Sequence, residues 1–238
     1  MSADAEGQGT YRVAVLASGG GTNFQSLLDR FTGNADSPAE IALLIASRPG
    51  IHSIERARRS NVKVAVLPEH LRVPVRESRE EDEAAFILEE LERAKADLVV
   101  LAGYLRLIPV GVVRAYWGRM INIHPALLPS FGGEGLYGHH VHEAVLDSGA
   151  RISGVTVHFV DEEYDRGPIV AQWPVPVLEG DDPDSLAARV LRVEHRVLPA
   201  VVEALARGWV ELGTDRRCRW SGRWFTGDRF DAVAADPD

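Results

Sequence analysis

Short continuous apolar runs alternate along the chain with segments whose apolar positions recur at helical spacing. The run YRVAVLA (11–17) has the pattern of a buried strand, and NFQSLLDRF (23–31) that of a short helix. EIALLIAS (40–47) is a second strand, IHSIERARRS (51–60) a helix and VKVAVLP (62–68) a third strand. This strand–helix–strand order predicts a parallel sheet with helices on both faces.

The pattern continues past residue 70. Ser78 followed by Glu81 has capping-box spacing and opens a helix predicted to reach residue 96. DLVVLAG (97–103) is apolar throughout, as a central parallel strand requires. A helix near 109–116 leads to the strand MINIH, and a helix around HHVHEAVLDSG leads to ISGVTVHFV (152–160). The prolines of PIVAQWPVPV (168–177) suit an edge strand or an irregular one. Asp182 and Pro183 start a long helix toward Gly208, which Pro199 is expected to kink or split. A short hairpin followed by disorder is expected beyond residue 209. The predicted class is α/β, a Rossmann-like, open, mostly parallel twisted sheet. The predicted organisation is a disordered tail at 1–10, a single domain over 11–212 and a C-terminal extension over 213–238.

Composition narrows the partners. The 238 residues carry 35 acidic and 26 basic side chains, for a net charge of −9. A nucleic-acid partner would need a basic face, so none is expected, whereas a local pocket can still hold a small anion. The lone Cys218 fits a reducing, cytoplasmic compartment. No stretch has the length of a membrane span, and the opening decapeptide has no basic start or apolar block, so neither a membrane partner nor a secretory signal is expected.

Four stretches carry candidate chemistry. ASGGGTNFQ (17–25) is a glycine-rich turn between strand and helix, suited to cradling a phosphate on helix N–H groups. It lacks both the Walker lysine and dinucleotide-site spacing. In MINIHPALLPSFGG (120–133), Asn122 and His124 are two apart and project from one face at a strand's carboxyl end. An amide there can donate to a developing oxyanion, and an imidazole can carry a proton. Taken alone, the pair is more often structural. In VDEEYDRGPIV (160–170), Asp165 stands out because Gly167–Pro168 fixes the loop behind it. GYLRLIP (103–109) places a cation among apolar neighbours at a strand end, which would suit a flat ligand with a carboxylate tail, or is simply a connecting loop. His139, His140 and His142 have no cysteine or carboxylate at matching spacing, and no metal site is expected.

Together these stretches resemble the folate-dependent formyltransferases, in the phosphoribosylglycinamide formyltransferase branch, over roughly residues 11–212. The carriers are VAVLASGGGTNFQSLLD, DLVVLAGYLRLI, INIHPALLPSF, GVTVHFVDEEYDRGPI and the EH followed by LP in the last helix. The resemblance implies transfer of the formyl group of 10-formyltetrahydrofolate to the amine of glycinamide ribonucleotide, without a metal, by a monomer or homodimer. It implies Asn122, His124 and Asp165 as the catalytic trio, and Gly21, Thr22, Asn23 and Glu194 as ribonucleotide-binding residues. It implies folate contacts at Arg79, Leu105, Arg106, Leu107, Ile108, Asn122 and the loop Asp161, Glu162, Glu163, Tyr164 and Asp165. In the implied chemistry Asn122 and protonated His124 stabilise the tetrahedral intermediate, while Asp165 keeps His124 charged. The rivals are a formyltetrahydrofolate deformylase, methionyl-tRNA formyltransferase and a non-catalytic nucleotide-sensing module. The deformylase branch usually carries an N-terminal regulatory domain, yet the sheet is expected to start by residue 11.

Overall fold

The computed structural model describes residues 10–34, 36–72 and 77–221, with side chains in the third helix described from residue 80. Strands β1 (Tyr11–Ala17), β2 (Ala39–Ala46), β3 (Lys63–Val66), β4 (Leu98–Leu101), β5 (Met120–His124), β6 (Ile152–Phe159) and β7 (Ile169–Pro176) form one sheet in the order β3-β2-β1-β4-β5-β6-β7. β1 to β5 are parallel; β6 and β7 run antiparallel to their neighbours. Helices α1 (Thr22–Phe31), α2 (His52–Arg59), α3 (Glu77–Arg93), α4 (Val110–Ala115), α5 (His139–Asp147) and α6 (Pro183–Ala206) connect them. A hairpin of β8 (Val210–Leu212) and β9 (Cys218–Trp220) follows and spans the boundary expected at residue 212.

The continuous apolar runs are explained by burial on both faces. In β1, Val13, Val15 and Ala17 join a core with α1, α2 and α6, while Ala14 and Leu16 join a second core with α3 and α4. β4 divides the same way, Leu98 and Val100 against Val99 and Leu101. Alternate side chains thus enter opposite apolar layers, the environment a central parallel strand requires. β7 takes the edge, where its two prolines cost no central ladder bond.

Two local expectations are revised. α3 is described from Glu77, so Ser78 lies within the helix instead of ahead of it. α6 continues through Pro199 as one 24-residue element. Its start agrees with the sequence: Ser185 N–H donates to Asp182 Oδ1 at 2.8 Å, and Asp182 N–H donates to Ser185 Oγ at 3.0 Å. Of the tail expected at 1–10 and the extension expected at 213–238, residues 1–9 and 222–238 lie outside the described residues.

Gly167 is where the loop after β6 turns back into β7. A Cβ there would stand 1.7 Å from Phe159 O and 2.8 Å from Phe159 C, both backbone atoms of β6. Gly167→Ala should therefore destabilise by about 3 kcal/mol through overpacking, lowering Tm by roughly 6–12 °C at this chain length. Thermal unfolding of the variant checks it, and an unchanged Tm would show that the loop can shift freely.

Candidate active site

The crevice lies where strand order reverses. From β1 the chain moves outward through β2 and β3, then returns to β4 on the other side of β1. Open sheets bind ligands at such a switch point. The two loops that diverge there are stitched together: Ser18 N–H donates to Gly103 O at 3.0 Å, and Leu105 N–H donates to Ser18 Oγ at 3.0 Å. A cleft of about 690 Å³ extends from Asn23 and Glu194, past Asn122 and His124, to Leu107.

One end of the cleft is the glycine loop. Gly21 precedes α1 at φ 69° and provides no side-chain cap. The first-turn N–H groups therefore remain available to an anion. A Cβ on Gly21 would lie 2.6 Å from Ser53 Oγ, which itself donates to Gly19 O at 2.6 Å. Gly19 and Gly20 face open space where a Cβ would stand, room for close backbone approach by a ligand. Thr22 opens the helix, and Asn23 Nδ2 donates to Glu194 Oε2 at 2.9 Å. Asn23 Oδ1 is buried without a protein partner. Burial pushes the Glu194 carboxyl up to about 7, with the Asn23 bond only partly offsetting it. An orphan acceptor beside a protonatable carboxyl suits a ligand rich in N–H and O–H groups.

Asn122 and His124 occupy the end of β5 and share a face, and Asp165 meets both. Asn122 Nδ2 lies 3.4 Å from Asp165 Oδ1, and His124 Nδ1 lies 3.6 Å from Asp165 Oδ2. Asp165 holds φ 55°, an uncommon left-handed conformation for aspartate, and its Oδ2 accepts from Gly133 N–H at 3.0 Å. His124 Nε2–H donates to Phe131 O at 2.8 Å. His124 is 4% exposed, and that burial lowers its pKa despite the opposing pulls of Asp165 and the Phe131 carbonyl. The expectation that Asp165 holds His124 charged is therefore corrected: in the free protein the imidazole is predominantly neutral near pH 7. Burial pushes the Asp165 carboxyl up, but His158, His124 and the Gly133 N–H more than reverse that, so it stays below the usual range.

Three supports were not singled out from sequence. His158 faces Asn122 across the β5–β6 pair, its Nε2 3.1 Å from Asn122 Nδ2 and 3.4 Å from Asp165 Oδ1. Its Nδ1–H donates to Phe159 O at 2.8 Å. Thr156, opposite His124, donates through Oγ1 to Ala126 O at 2.7 Å and accepts from Leu128 N–H at 3.0 Å. Gln172 Nε2 donates to Leu128 O at 2.8 Å, so the loop after His124 is held from two strands. The signal for His158 was the HFV segment; a polar residue in an apolar strand opposite Asn122 could have been found from strand pairing alone.

The remaining candidates divide. Leu105 and Leu107 are 58% and 53% exposed at the cleft mouth, above buried Ile108. Arg106 is not a free cation for a carboxylate tail. Its guanidinium donates to Glu83 at 3.1 and 2.6 Å, to Leu71 O at 2.9 Å and to Arg72 O at 3.2 Å. Its side chain thus ties the 103–109 loop to the preceding turn. Asp161, Glu163, Tyr164 and Asp165 line the cleft. Glu162 instead faces the surface, where Arg114 Nε donates to it at 2.8 Å. The side chain of Arg79 lies outside the described residues. The three histidines take separate surroundings: His139 lies 3.4 Å from Asp184, His140 lies 3.1 Å from Glu143, and His142 is buried with Nδ1 unpartnered.

The Glu194 carboxyl makes stability pH-dependent. Its ordinary value is 4.5 and its folded value about 7. As pH rises between these values the unfolded chain releases a proton that the folded protein keeps, so stability falls, by about 3 kcal/mol in full. Glu194→Gln removes this loss. Its Tm relative to the parent should rise steadily from pH 4 to pH 8; a pH-independent difference would contradict the assigned shift.

Comparison with known proteins places the whole sheet within one family. Residues 11–202 match the family model described as formyl transferase. The chain is 44% identical over 204 residues to an Arabidopsis thaliana protein, "Phosphoribosylglycinamide formyltransferase, chloroplastic", covering 86% of this chain and 68% of that one. It is 36% identical to the Bacillus subtilis phosphoribosylglycinamide formyltransferase, covering 82% of this chain and 94% of that one. It spans only 20% of a Bos taurus relative named trifunctional purine biosynthetic protein adenosine-3. The crystal structure of glycinamide ribonucleotide transformylase 1 from Symbiobacterium toebii superposes with TM-score 0.79 at 36% identity, over 92% of this chain and 98% of that one. A formyltetrahydrofolate deformylase from Pseudomonas syringae gives TM-score 0.76 at 27% identity, over 90% of this chain and 67% of that one. The match runs from β1 into α6 and so takes in the glycine loop, Asn122, His124 and Asp165: the chain belongs to the formyl transferase family.

Proposed function

We propose that the protein transfers the formyl group of 10-formyltetrahydrofolate to the primary amine of glycinamide ribonucleotide, a step of purine synthesis. The observation that carries this is one continuous cleft with an anion cradle at one end, an apolar mouth at the other and a proton-handling cluster between. The ribonucleotide phosphate rests on the first turn of α1 at Gly21, Thr22 and Asn23, with Asn23 and Glu194 taking its polar groups. The folate lies along 105–108 and the inner side of 161–165. A cytoplasmic setting agrees with the lone Cys218.

The amine attacks the formyl carbon, a C–N bond forms, and the carbonyl oxygen becomes negative. Asn122 lies beside that oxygen, but its Nδ2 faces His158 and Asp165 in the free protein. One amide N–H donates to His158 Nε2, the ring nitrogen left to accept once Nδ1–H is held by Phe159 O, and the other can turn from its long Asp165 contact to the oxyanion. His124 starts neutral; the negative oxygen favours its charged form as the intermediate develops. Nε2 is held by the Phe131 carbonyl, so Nδ1, on the Asp165 side, is the nitrogen open to a water-borne proton. The proton lost by the amine passes by this route to folate N10, the C–N10 bond breaks, and formylglycinamide ribonucleotide and tetrahydrofolate leave.

A deformylase would use water in place of the amine. The cradle and the Asn23–Glu194 pair favour transfer, because hydrolysis has no use for a ribonucleotide site. Folate product measured by absorbance should form only when glycinamide ribonucleotide is present; equal product without it would establish hydrolysis instead, and none in either case would leave the sensing module. Losing an oxyanion donor typically costs ~10²–10³ in rate. Asn122→Ala and His124→Ala should each lose at least this much turnover with thermal unfolding nearly unchanged, and near-parental kinetics in either would remove its assigned role.

A further inference from the structure

The β8–β9 hairpin begins beyond the residues matched by the family model, yet it reaches the wall of the cleft. It is docked on the domain by Val210, which is buried, and by Trp220 Nε1–H, which donates to Val170 O at 3.1 Å. Its turn carries Arg216 at φ 60°, a conformation that glycine adopts freely and arginine does not. The turn closes through Arg216 N–H to Gly213 O at 2.9 Å and Gly213 N–H to Arg217 O at 2.9 Å. Nothing in the turn itself calls for a long cation at this position. What the side chain does reach is Asp161 Oδ2, at 2.7 Å, while its guanidinium carbon lies 5.2 Å from the centre of the Trp117 ring.

Asp161 opens the loop that ends at Asp165, and its side chain is 12% exposed. Its other carboxylate oxygen accepts from Glu163 N–H at 3.1 Å, fixing the first bend of the loop. On the outer side, Arg114 grips Glu162. The inner side of the same five residues lines the cleft through Asp161, Glu163, Tyr164 and Asp165. The loop is therefore held from outside by two arginines, one of them supplied by the hairpin at the expense of a strained backbone. Strain retained at one residue points to a use for its side chain.

We propose that Arg216 is a positioning residue, a clamp by which the C-terminal hairpin holds the 161–165 loop in the shape that binds the folate cosubstrate. This deepens the formyltransferase reading and rests on it. Arg216→Gly separates the clamp from the fold, because glycine relaxes the φ of 60° while deleting the guanidinium. The variant should keep its Tm, raise KM for the folate about fivefold, the upper range for a pair with one exposed partner, and leave KM for the ribonucleotide unchanged. Arg216→Lys should recover part of the loss, and Arg216→Gly should add little in an Asp161→Asn background. Amide hydrogen exchange of 161–165 in the free protein should accelerate in Arg216→Gly, a readout that needs no turnover. Unchanged folate KM and unchanged exchange would overturn the clamp, as would a loss shared equally by both substrates together with a lowered Tm. If the parent protein makes no ribonucleotide-dependent product, the formyltransferase reading fails, and the exchange measurement alone then decides whether Arg216 orders the loop.

Discussion

The pairing of β5 with β6 is the constraint on which the site depends. Five parallel strands end there and the next runs antiparallel, so the carboxyl end of β5 lies beside a strand whose residues face it directly. Asn122 is thereby set against His158 and His124 against Thr156. Residues directly opposed on an antiparallel pair project from one face. One register thus delivers the amide, its orienting imidazole, the proton carrier and the hydroxyl that pins the following loop. The same turn of direction sends β6 out into the 160–168 loop, and the approach of Gly167 to Phe159 returns Asp165 to the cluster. A one-residue slip would invert every one of these side chains.

Burial and charge oppose one another at two places along the cleft. At the centre, an imidazole 4% exposed is held neutral although a carboxylate lies 3.6 Å away. At the glycine-loop end, a carboxyl 7% exposed retains its proton up to about pH 7 with a single amide for company. Each group is poised to change state when a charged or polar ligand arrives, which a fully paired group could not do cheaply. Arg106 is the contrast: four of its five N–H donors are committed to Glu83 and two carbonyls, so it is a brace for the 103–109 loop and not a free cation for a terminal carboxylate.

The sheet was legible in the sequence because its strands are apolar on both faces and its helices are not. VAVLA and LVVL could scarcely be anything but central strands, and the prolines of β7 announced an edge. The glycine cradle and Asn122–x–His124 were legible because each breaks a pattern that burial otherwise imposes. Orientation was not. Nothing in the order of residues 161–165 separates Glu162, turned to Arg114, from its inward neighbours, and nothing local to Arg106 reveals Glu83. The charge state of His124 was also misjudged, since a nearby aspartate is visible in sequence while the desolvation that outweighs it is a property of the whole fold. Arg216 was invisible for the same reason: its partner lies 55 residues away.

Asn122, His124 and Asp165 lie within 3.6 Å of one another through Asp165, so a change of charge on one must shift the others against the set point that burial imposes. A ¹⁵N NMR titration of the His124 ring in the parent protein and in Asp165→Asn reads that coupling. His124 should titrate below the ordinary histidine range in the parent, and lower still once the opposing carboxylate is neutralised. A midpoint above that range in the parent, or one that does not move when Asp165 loses its charge, would contradict the account.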